Sequence, residues 1–334
     1  MGKNKNNNLT YGYGPYQRRL NWDEEDFFSE FNIDLAYERT VEAYDFLRDY
    51  SDIHNQYRAC TPQPNPFSSK VMFIISALTK MGVKYTIDIF SYDGFDLNWG
   101  LSAETSHKLV NIIAEPNPEV KGAAIVFVAH HDVANIHSNN CQDNGASVCN
   151  LLRLASLLKK DGDKSQRTLL LFSDCEEYGA RGAERFAKKT VKDTDNKAII
   201  LHETFGEISE VINLELTGKG DVVWSDCEFK KPEIELHEKL EKTFGKSIPK
   251  LDTPPNDAIA FRKYFYPVLC IGILPENDMK HKDTWRVCHS LKDNLEGCNR
   301  KDMEDFTTFL FNLTKLPPIN ENTGANETTG DVQA

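Results

Sequence analysis

The 334-residue chain is 40% hydrophobic and carries 39 Lys and Arg against 51 Asp and Glu, a formal net charge of −12. That apolar content suffices for a sizeable core and excludes a mostly disordered chain or a small disulfide-stapled scaffold; an acidic surface repels nucleic-acid backbones and anionic lipid. No apolar run reaches the roughly 18–20 residues needed to span a bilayer, and the polar start MGKNKNNNLTYGYG lacks the apolar stretch of a signal peptide, so a cytoplasmic protein without a nucleic-acid or membrane partner is expected.

The first 25 residues read as an extension over the surface. Tyr37, Val41, Tyr44 and Leu47 then recur at helical spacing, and the proline-rich TPQPNPFSS ends that helix. Ser68 or Ser69 caps a second helix with Val71, Ile74, Ile75 and Leu78 on one face and Gly82 at its stop. VKYTIDI (83–89) alternates like a half-buried strand. From residue 106 strands and helices alternate. AAIVFVA (123–129) precedes a helix through Val148, Leu151, Leu152, Ala155 and Leu158; TLLLF (168–172) precedes a short helix after Gly179. VINLEL (211–216) precedes a helix opened by Pro232, and VLCIGI (268–273) is followed by a closing helix through Met303, Phe306, Leu310 and Leu313. Continuous apolar strands between amphipathic helices predict an α/β fold, a three-layer α/β/α sandwich with a mixed, largely parallel central sheet. Residues 26–316 are read as one domain and the Asn/Thr/Gly-rich 317–334 as a disordered tail. The eight cysteines make no C-x-x-C pair and read as buried thiols.

In open α/β sheets, ligands bind beyond the carboxyl ends of the strands. AAIVFVA runs into His130-His131-Asp132, and TLLLF into Ser173-Asp174-Cys175-Glu176-Glu177. VINLEL carries Glu215, the stretch after VLCIGI holds His281, Asp283 and His289, and Gln142-Asp143-Asn144-Gly145 opens the helix between the first two of these strands. Each piece alone has an ordinary explanation. Polar residues close strands, an EE pair is usually solvated surface, and Asp143-Asn144 is an acceptable helix cap. Their succession, H-x-D, D, EE, an acid, then H, is what points to chemistry. Imidazole and carboxylate are the ligands of a catalytic zinc, and a pair of ions about 3.5–4 Å apart needs a carboxylate that bridges them. His130, Asp143, Glu177, Glu215 and His289 offer five ligands. Asp132 follows His130 by two on an extended segment, so it points the same way and can orient the imidazole. Glu176 is left beside a ligand, free to serve as general base.

Taken together, VAHHD (128–132), QDNGAS (142–147), FSDCEEYGARGAERF (172–186), INLELTG (212–218), NDAIAFRKYFYPVLCIG (256–272) and CHSLKDNLE (288–296) resemble the dizinc exopeptidases, over roughly residues 60–315. That family includes aminopeptidase Y, secreted bacterial leucyl aminopeptidases and glutamate carboxypeptidase, with the glutaminyl cyclases as cyclising relatives. The resemblance implies a zinc-peptidase fold of the phosphorylase/hydrolase-like type and two zinc ions. His130 and Glu215 would hold one, Glu177 and His289 the other, and Asp143 would bridge them, with Glu176 as base and then acid acting on a metal-bridged water. It implies peptide substrates, and an aminopeptidase removing N-terminal residues is the leading expectation. A glutaminyl cyclase-like acyltransferase with a single zinc, a carboxypeptidase using Arg262 or Arg286 for the substrate carboxylate, and a non-catalytic binding module are the alternatives. Asp257 matches a position near the family's site.

Three departures from the family pattern stand out. Glu215 replaces the usual Asp, which leaves one metal as an alternative to two. The small residues after Asp143 are shifted relative to the D-x-x-S-G run. Cys288 stands where relatives often carry an aromatic residue. The interval from Glu177 to His289 is filled by strands and helices of the core, so a single catalytic domain is expected. Read on its own residues, the loop 275–288, with His281 and Trp285, is expected to wall the substrate pocket.

Overall fold

The computed structural model describes residues 9–12, 41–53, 67–92, 107–161, 164–192, 200–226, 231–281 and 283–319. Tyr37, most of TPQPNPFSS, and the greater part of both the 1–25 extension and the 317–334 tail lie outside the described residues. In chain order the elements are strand β1 (Leu9–Gly12), helices α1 (Ala43–Ser51) and α2 (Ser69–Lys80), strands β2 (Lys84–Tyr92), β3 (His107–Glu115) and β4 (Ala124–His130), helix α3 (Ala146–Asp161), strand β5 (Thr168–Ser173), helix α4 (Arg181–Ala187) and strands β6 (Thr190–Lys192), β7 (Ile200–His202), β8 (Gly206–Leu214) and β9 (Val222–Ser225). Helices α5 (Lys231–Phe244) and α6 (Ala258–Lys263), strand β10 (Val268–Leu274) and helices α7 (Asp278–His281), α8 (Asp283–Val287) and α9 (Arg300–Leu313) complete the chain. No helix among the described residues is long and apolar enough to cross a membrane.

The sheet runs β1-β2-β3-β5-β4-β8-β10-β9, with β7 also on β8 and β6 on β7. Its centre, β5-β4-β8-β10, is parallel, whereas β1, β2 and β3 on one flank and β9 on the other join antiparallel. The mixed sheet agrees with expectation, but the parallel part is confined to these four strands. The four central strands follow one another through crossovers of more than a dozen residues, as parallel pairing requires: α3 lies between β4 and β5, the α4 to β7 region between β5 and β8, and β9 with α5 and α6 between β8 and β10.

Alternation along each central strand divides the core in two, because successive side chains point to opposite faces. Ile125, Phe127 and Ala129 of β4 pack with α1, α2, α3 and α9, while Ala124, Val126 and Val128 pack with α4 and α6. Both faces are therefore covered, which is why AAIVFVA is apolar throughout and why the molecule is a three-layer sandwich. The Ser68 Oγ accepts the Val71 amide at 3.2 Å, so Ser68 is the cap of α2, and Gly82 ends that helix with φ +63°.

Some boundaries differ from the pattern. β8 starts at Gly206 and stops at Leu214, placing Glu215 just beyond the strand; β9 and the β6–β7 hairpin have too few residues to show a period. The loop 275–288 holds the two short helices α7 and α8. The carboxylate of Asp278 caps α8, accepting the amides of Asp283 and Thr284. Gly272 of β10 pairs with Trp224 of β9 and leaves room for its indole to approach the strand closely. A Cβ at Gly272 would sit 1.9 Å from Glu215 O and 2.6 Å from Trp224 Cζ2. Gly272→Ala is expected to destabilise the fold by about 3 kcal/mol, read as a lower urea midpoint with unchanged slope.

Candidate metal centre

The chain steps from β4 to β5 on one side and then to β8 on the other, so β4 is where the strand order reverses. A crevice opens beyond the carboxyl ends at such a point. His130 is the last residue of β4, Glu176 and Glu177 follow β5, Glu215 follows β8, and His289 follows β10 by way of α7 and α8. Asp143 comes from an irregular turn, Cys141–Gly145, that precedes α3; Asn140 with φ 52° leads into it. All five expected ligands converge here, and His130, Asp143, Glu176, Glu177, Glu215 and His289 face one cavity of about 820 Å³.

Asp143 stands between the two imidazoles. Its Oδ1 lies 3.2 Å from His130 Nε2 and its Oδ2 lies 3.1 Å from His289 Nε2. Glu177 Oε2 is 2.9 Å from His289 Nε2, and Glu215 Oε2 is 3.7 Å from His130 Nε2. Donors bound at about 2.0–2.1 Å to one tetrahedral zinc are about 3.3 Å apart, so each half has the spacing of a coordination sphere. One ligand atom from each of His130, Asp143 and Glu177 also falls within 4.8 Å of the others. The extra methylene of Glu215 does not keep it away from His130, and Asn213 Nδ2 donates to its Oε1 at 3.3 Å.

Electrostatics favours the same reading. Burial pushes the carboxyl groups of Glu176 and Glu215 up, Glu176 well above the usual range, and Glu177 up to about 6. Burial also opposes charge on His130, but Glu176, Glu215, Asp132 and Asp143 outweigh it and hold the imidazole well above its ordinary value. Asp143 and Glu177 raise His289 to about 10. For Asp143 itself burial is outweighed by the two imidazoles, and its carboxyl is lowered. Four carboxyl groups crowded at low dielectric must be neutralised by protons or cations, and the donor set of nitrogen and carboxylate oxygen suits zinc.

Asp132 lies beside His130, as expected, and does a second job as well. Its Oδ1 is 3.3 Å from His130 Nδ1, but off the line of a hydrogen bond. Its two oxygens accept the backbone amides of Glu176 at 3.0 Å and Glu177 at 3.2 Å. Asp132 thus fixes the EE pair as well as flanking the imidazole. Ala134 N donates to Glu177 Oε1 at 3.1 Å. The neighbouring His131 donates from Nε2 to Val110 O at 2.9 Å, and Asp174 accepts Val110 N at 2.9 Å, so both are spent on β3.

Trp285 lies on the cavity wall, its ring centroid 5.7 Å from that of Trp224. Asp257 is fully buried, with Oδ2 accepting the Ser173 hydroxyl at 2.5 Å. Burial, and more weakly Glu215 and Asp132, bring Asp257 up to about 7, although it is not among the cavity-lining residues. His281 ends α7, and its side chain lies outside the described residues. Neither arginine considered for a substrate carboxylate reaches the cavity. Arg262 is held by Asp226 at 2.9 Å and Glu233 at 3.0 Å, and Arg286 is exposed and paired with Asp283 at 2.8 Å. Cys288 does line the cavity, with its Sγ donating to Thr284 O at 3.4 Å. Cys175, expected as a thiol, is disulfide-bonded, to a residue outside the described set. Trp224 and Asp293 escaped the sequence reading. Trp224 sits on an unforeseen strand, and Asp293 acts on backbone amides, which leave no mark in a residue pattern.

Against known proteins, the profile of peptidase family M28 matches residues 111–314, more than half of the chain. No curated protein matches the sequence. Among solved structures, the glutaminyl cyclase of Porphyromonas gingivalis has a TM-score of 0.62 at 17% identity, covering 83% of this chain and 97% of that one. A leucine aminopeptidase precursor from Bacteroides thetaiotaomicron gives 0.62 at 16% identity, again 83% and 97%. BSAP, a zinc aminopeptidase from Bacillus subtilis, gives 0.50 at 15% identity, covering 63% of this chain and 50% of that one. The fold is common to cyclases and aminopeptidases alike.

Proposed function

Because the chain belongs to peptidase family M28, we propose that it is a zinc-dependent aminopeptidase that removes N-terminal residues from peptides. The observation that carries this reading is Asp143, whose two oxygens address two different imidazoles, at 3.2 and 3.1 Å. His130, Glu215 and Asp143 would hold one ion and Asp143, Glu177 and His289 a second; when bound, zinc supplies Lewis acidity that polarises a carbonyl and lowers the pKa of water.

The chain's own residues do the rest. Glu176 lines the cavity with its Oε2 3.9 Å from His130 Nε2, beside the donors yet held by neither imidazole at bonding distance. Its carboxylate takes the proton of the attacking water and returns it to the leaving amine. Asp132 fixes the backbone from which Glu176 projects, so the base has a set position. The lining also bears on which end of the peptide is taken. Among the described residues it includes four acidic side chains, which two bound zinc ions would balance, and no Lys or Arg. It thus offers no side-chain cation to a C-terminal carboxylate, which disfavours the carboxypeptidase alternative.

Trp285, with Trp224 behind it, forms an aromatic wall for the first side chain of the substrate. Trp285→Ala is expected to raise KM for bulky apolar N-terminal residues about tenfold, as one lost hydrophobic contact of 1–3 kcal/mol would, and to leave kcat nearly unchanged; an unaltered side-chain preference would remove Trp285 from the pocket.

The fold shared with the glutaminyl cyclase of Porphyromonas gingivalis supports a second reading, glutaminyl cyclase-like acyl transfer. There the α-amine of an N-terminal Gln attacks its own side-chain amide carbon, the C–N bond to the amide nitrogen breaks, and Glu176 moves a proton from the amine to the departing ammonia. One experiment separates the two. The zinc-loaded protein is incubated with a peptide library containing Gln-initiated members, and products are weighed by mass spectrometry. Peptides shortened by one N-terminal residue support the aminopeptidase. Ammonia loss restricted to Gln-initiated peptides, with no free amino acid, replaces it by the cyclase.

A further inference from the structure

Two chain segments far apart in sequence carry Asp143 and His289, and they are tied together at four points. Asn135 Nδ2 donates to His289 O at 3.0 Å, and Ser138 Oγ donates to Asp293 O at 3.2 Å. At the inner end the carboxylate of Asp293 spans two successive amides: Oδ1 accepts Gln142 N at 2.6 Å and Oδ2 accepts Asp143 N at 3.1 Å. Asp293 is completely buried. The turn it grips, Cys141–Gly145, has non-helical angles at Asp143 and Asn144, so regular helix hydrogen bonding does not hold those two residues. Asn144 is fixed separately, its Nδ2 donating to Leu214 O at 2.7 Å. Gln142 spans the gap to the same segment, with Nε2 donating to Gly297 O at 2.7 Å.

We propose that Asp293 is a positioning residue for the metal centre: by gripping the amides of Gln142 and Asp143 from the segment that also carries His289, it sets the shared carboxylate and the imidazole as one unit. This rests on the metal-centre reading above and adds to it a residue that touches neither ion nor substrate. Both Asp293 oxygens are acceptors, and each meets a donor. In Asp293→Asn one oxygen becomes an amide nitrogen, which confronts a backbone N–H with another donor. The turn must then shift, and Asp143 with it. Groups that orient metal ligands without binding the metal typically matter 10–100-fold in affinity.

A purely structural role would look different. Asn294, next in the chain, caps the following turn by accepting Glu296 N at 3.0 Å, so Asn294→Ala removes a local hydrogen bond from the same segment but leaves the grip on Asp143 intact. The test uses the full chain stripped of metal, titrated with Zn2+ in competition with a chromogenic chelator, alongside circular dichroism and thermal melting of the metal-free forms. Asp293→Asn is expected to lose 10–100-fold in zinc affinity while its metal-free spectrum stays that of the wild type, and its Co2+ form is expected to show displaced d–d bands. Asn294→Ala is expected to keep wild-type affinity. Should Asp293→Asn fail to fold, Asn135→Ala opens the outer end of the same tie at a half-buried position, and a several-fold loss of affinity is expected there. Wild-type affinity in the folded Asp293→Asn, or in Asn135→Ala when the former does not fold, overturns the proposal, as does an equal loss in Asn294→Ala. A wild-type chain that takes up no zinc overturns this proposal and the metal-centre reading together. One that takes up zinc but cleaves no peptide overturns only the aminopeptidase assignment.

Discussion

Glu176→Gln is expected to lower kcat by about 10³-fold, within the 10²–10⁴ range for a positioned general base, with zinc content and KM close to wild type. The substitution keeps the shape of the side chain and the backbone hydrogen bond from Glu176 N to Asp132. It removes only the ability to accept a proton. Burial pushes this carboxyl well above the usual range, and bound cations would draw it back toward values where it can both take and give a proton near neutral pH. Glu176 makes no closer approach to either imidazole than 3.9 Å to His130 Nε2, whereas Glu177 reaches His289 Nε2 at 2.9 Å. The two neighbours should therefore separate cleanly. Glu177→Gln would cost metal, and Glu176→Gln would cost turnover alone. Steady-state kinetics with metal analysis on the same samples decides the matter; a Glu176→Gln enzyme retaining a tenth or more of wild-type kcat would strip this residue of its role.

Asp143→Ala is expected to abolish occupancy of at least one half of the centre and to reduce turnover by about 10³-fold. A metal acting as Lewis acid contributes several kcal/mol to the transition state, and each tenfold is about 1.4 kcal/mol. The size of the effect follows from Asp143 being the side chain in contact with both imidazoles, at 3.2 and 3.1 Å. Removing Glu215 takes a donor from the His130 half alone, so Glu215→Ala should be milder than Asp143→Ala. Zinc per chain, measured after dialysis, checks the order. If Asp143→Ala binds as much zinc as the wild type, the shared-carboxylate geometry has no bearing on loading.

What could be read from residues alone, and what could not, divides along physical lines. β4, β5 and β10 are legible because strands covered on both faces are apolar at nearly every position, and AAIVFVA, TLLLF and VLCIGI stand out from a charged chain; β8, GEISEVINL, shows that run only in its last residues. The donors are legible because strand ends carry them and because their types are those zinc takes. The antiparallel flank is less so: β9 is four residues, Val222–Ser225, too short for alternation to exceed chance. Asp132 shows the limit for roles. Its spacing from His130 is right for flanking the ring, but that its oxygens also accept two amides of the EE pair leaves no trace in a residue pattern. Arg262 shows the limit for charges. Its sign suits a substrate carboxylate, yet Asp226 and Glu233 already neutralise it. Asp293 was within a quoted motif without a role, since a carboxylate that binds backbone selects no partner side chain.

The donors enter the chain in the order His130, Asp143, Glu177, Glu215, His289, and strands β6 to β10 with helices α4 to α8 intervene between Glu177 and the last of them. During synthesis, then, the ribosome has released most of the protein before the centre can close. Any zinc met earlier would find an incomplete set of ligands, and capture of the metal belongs to the finished chain.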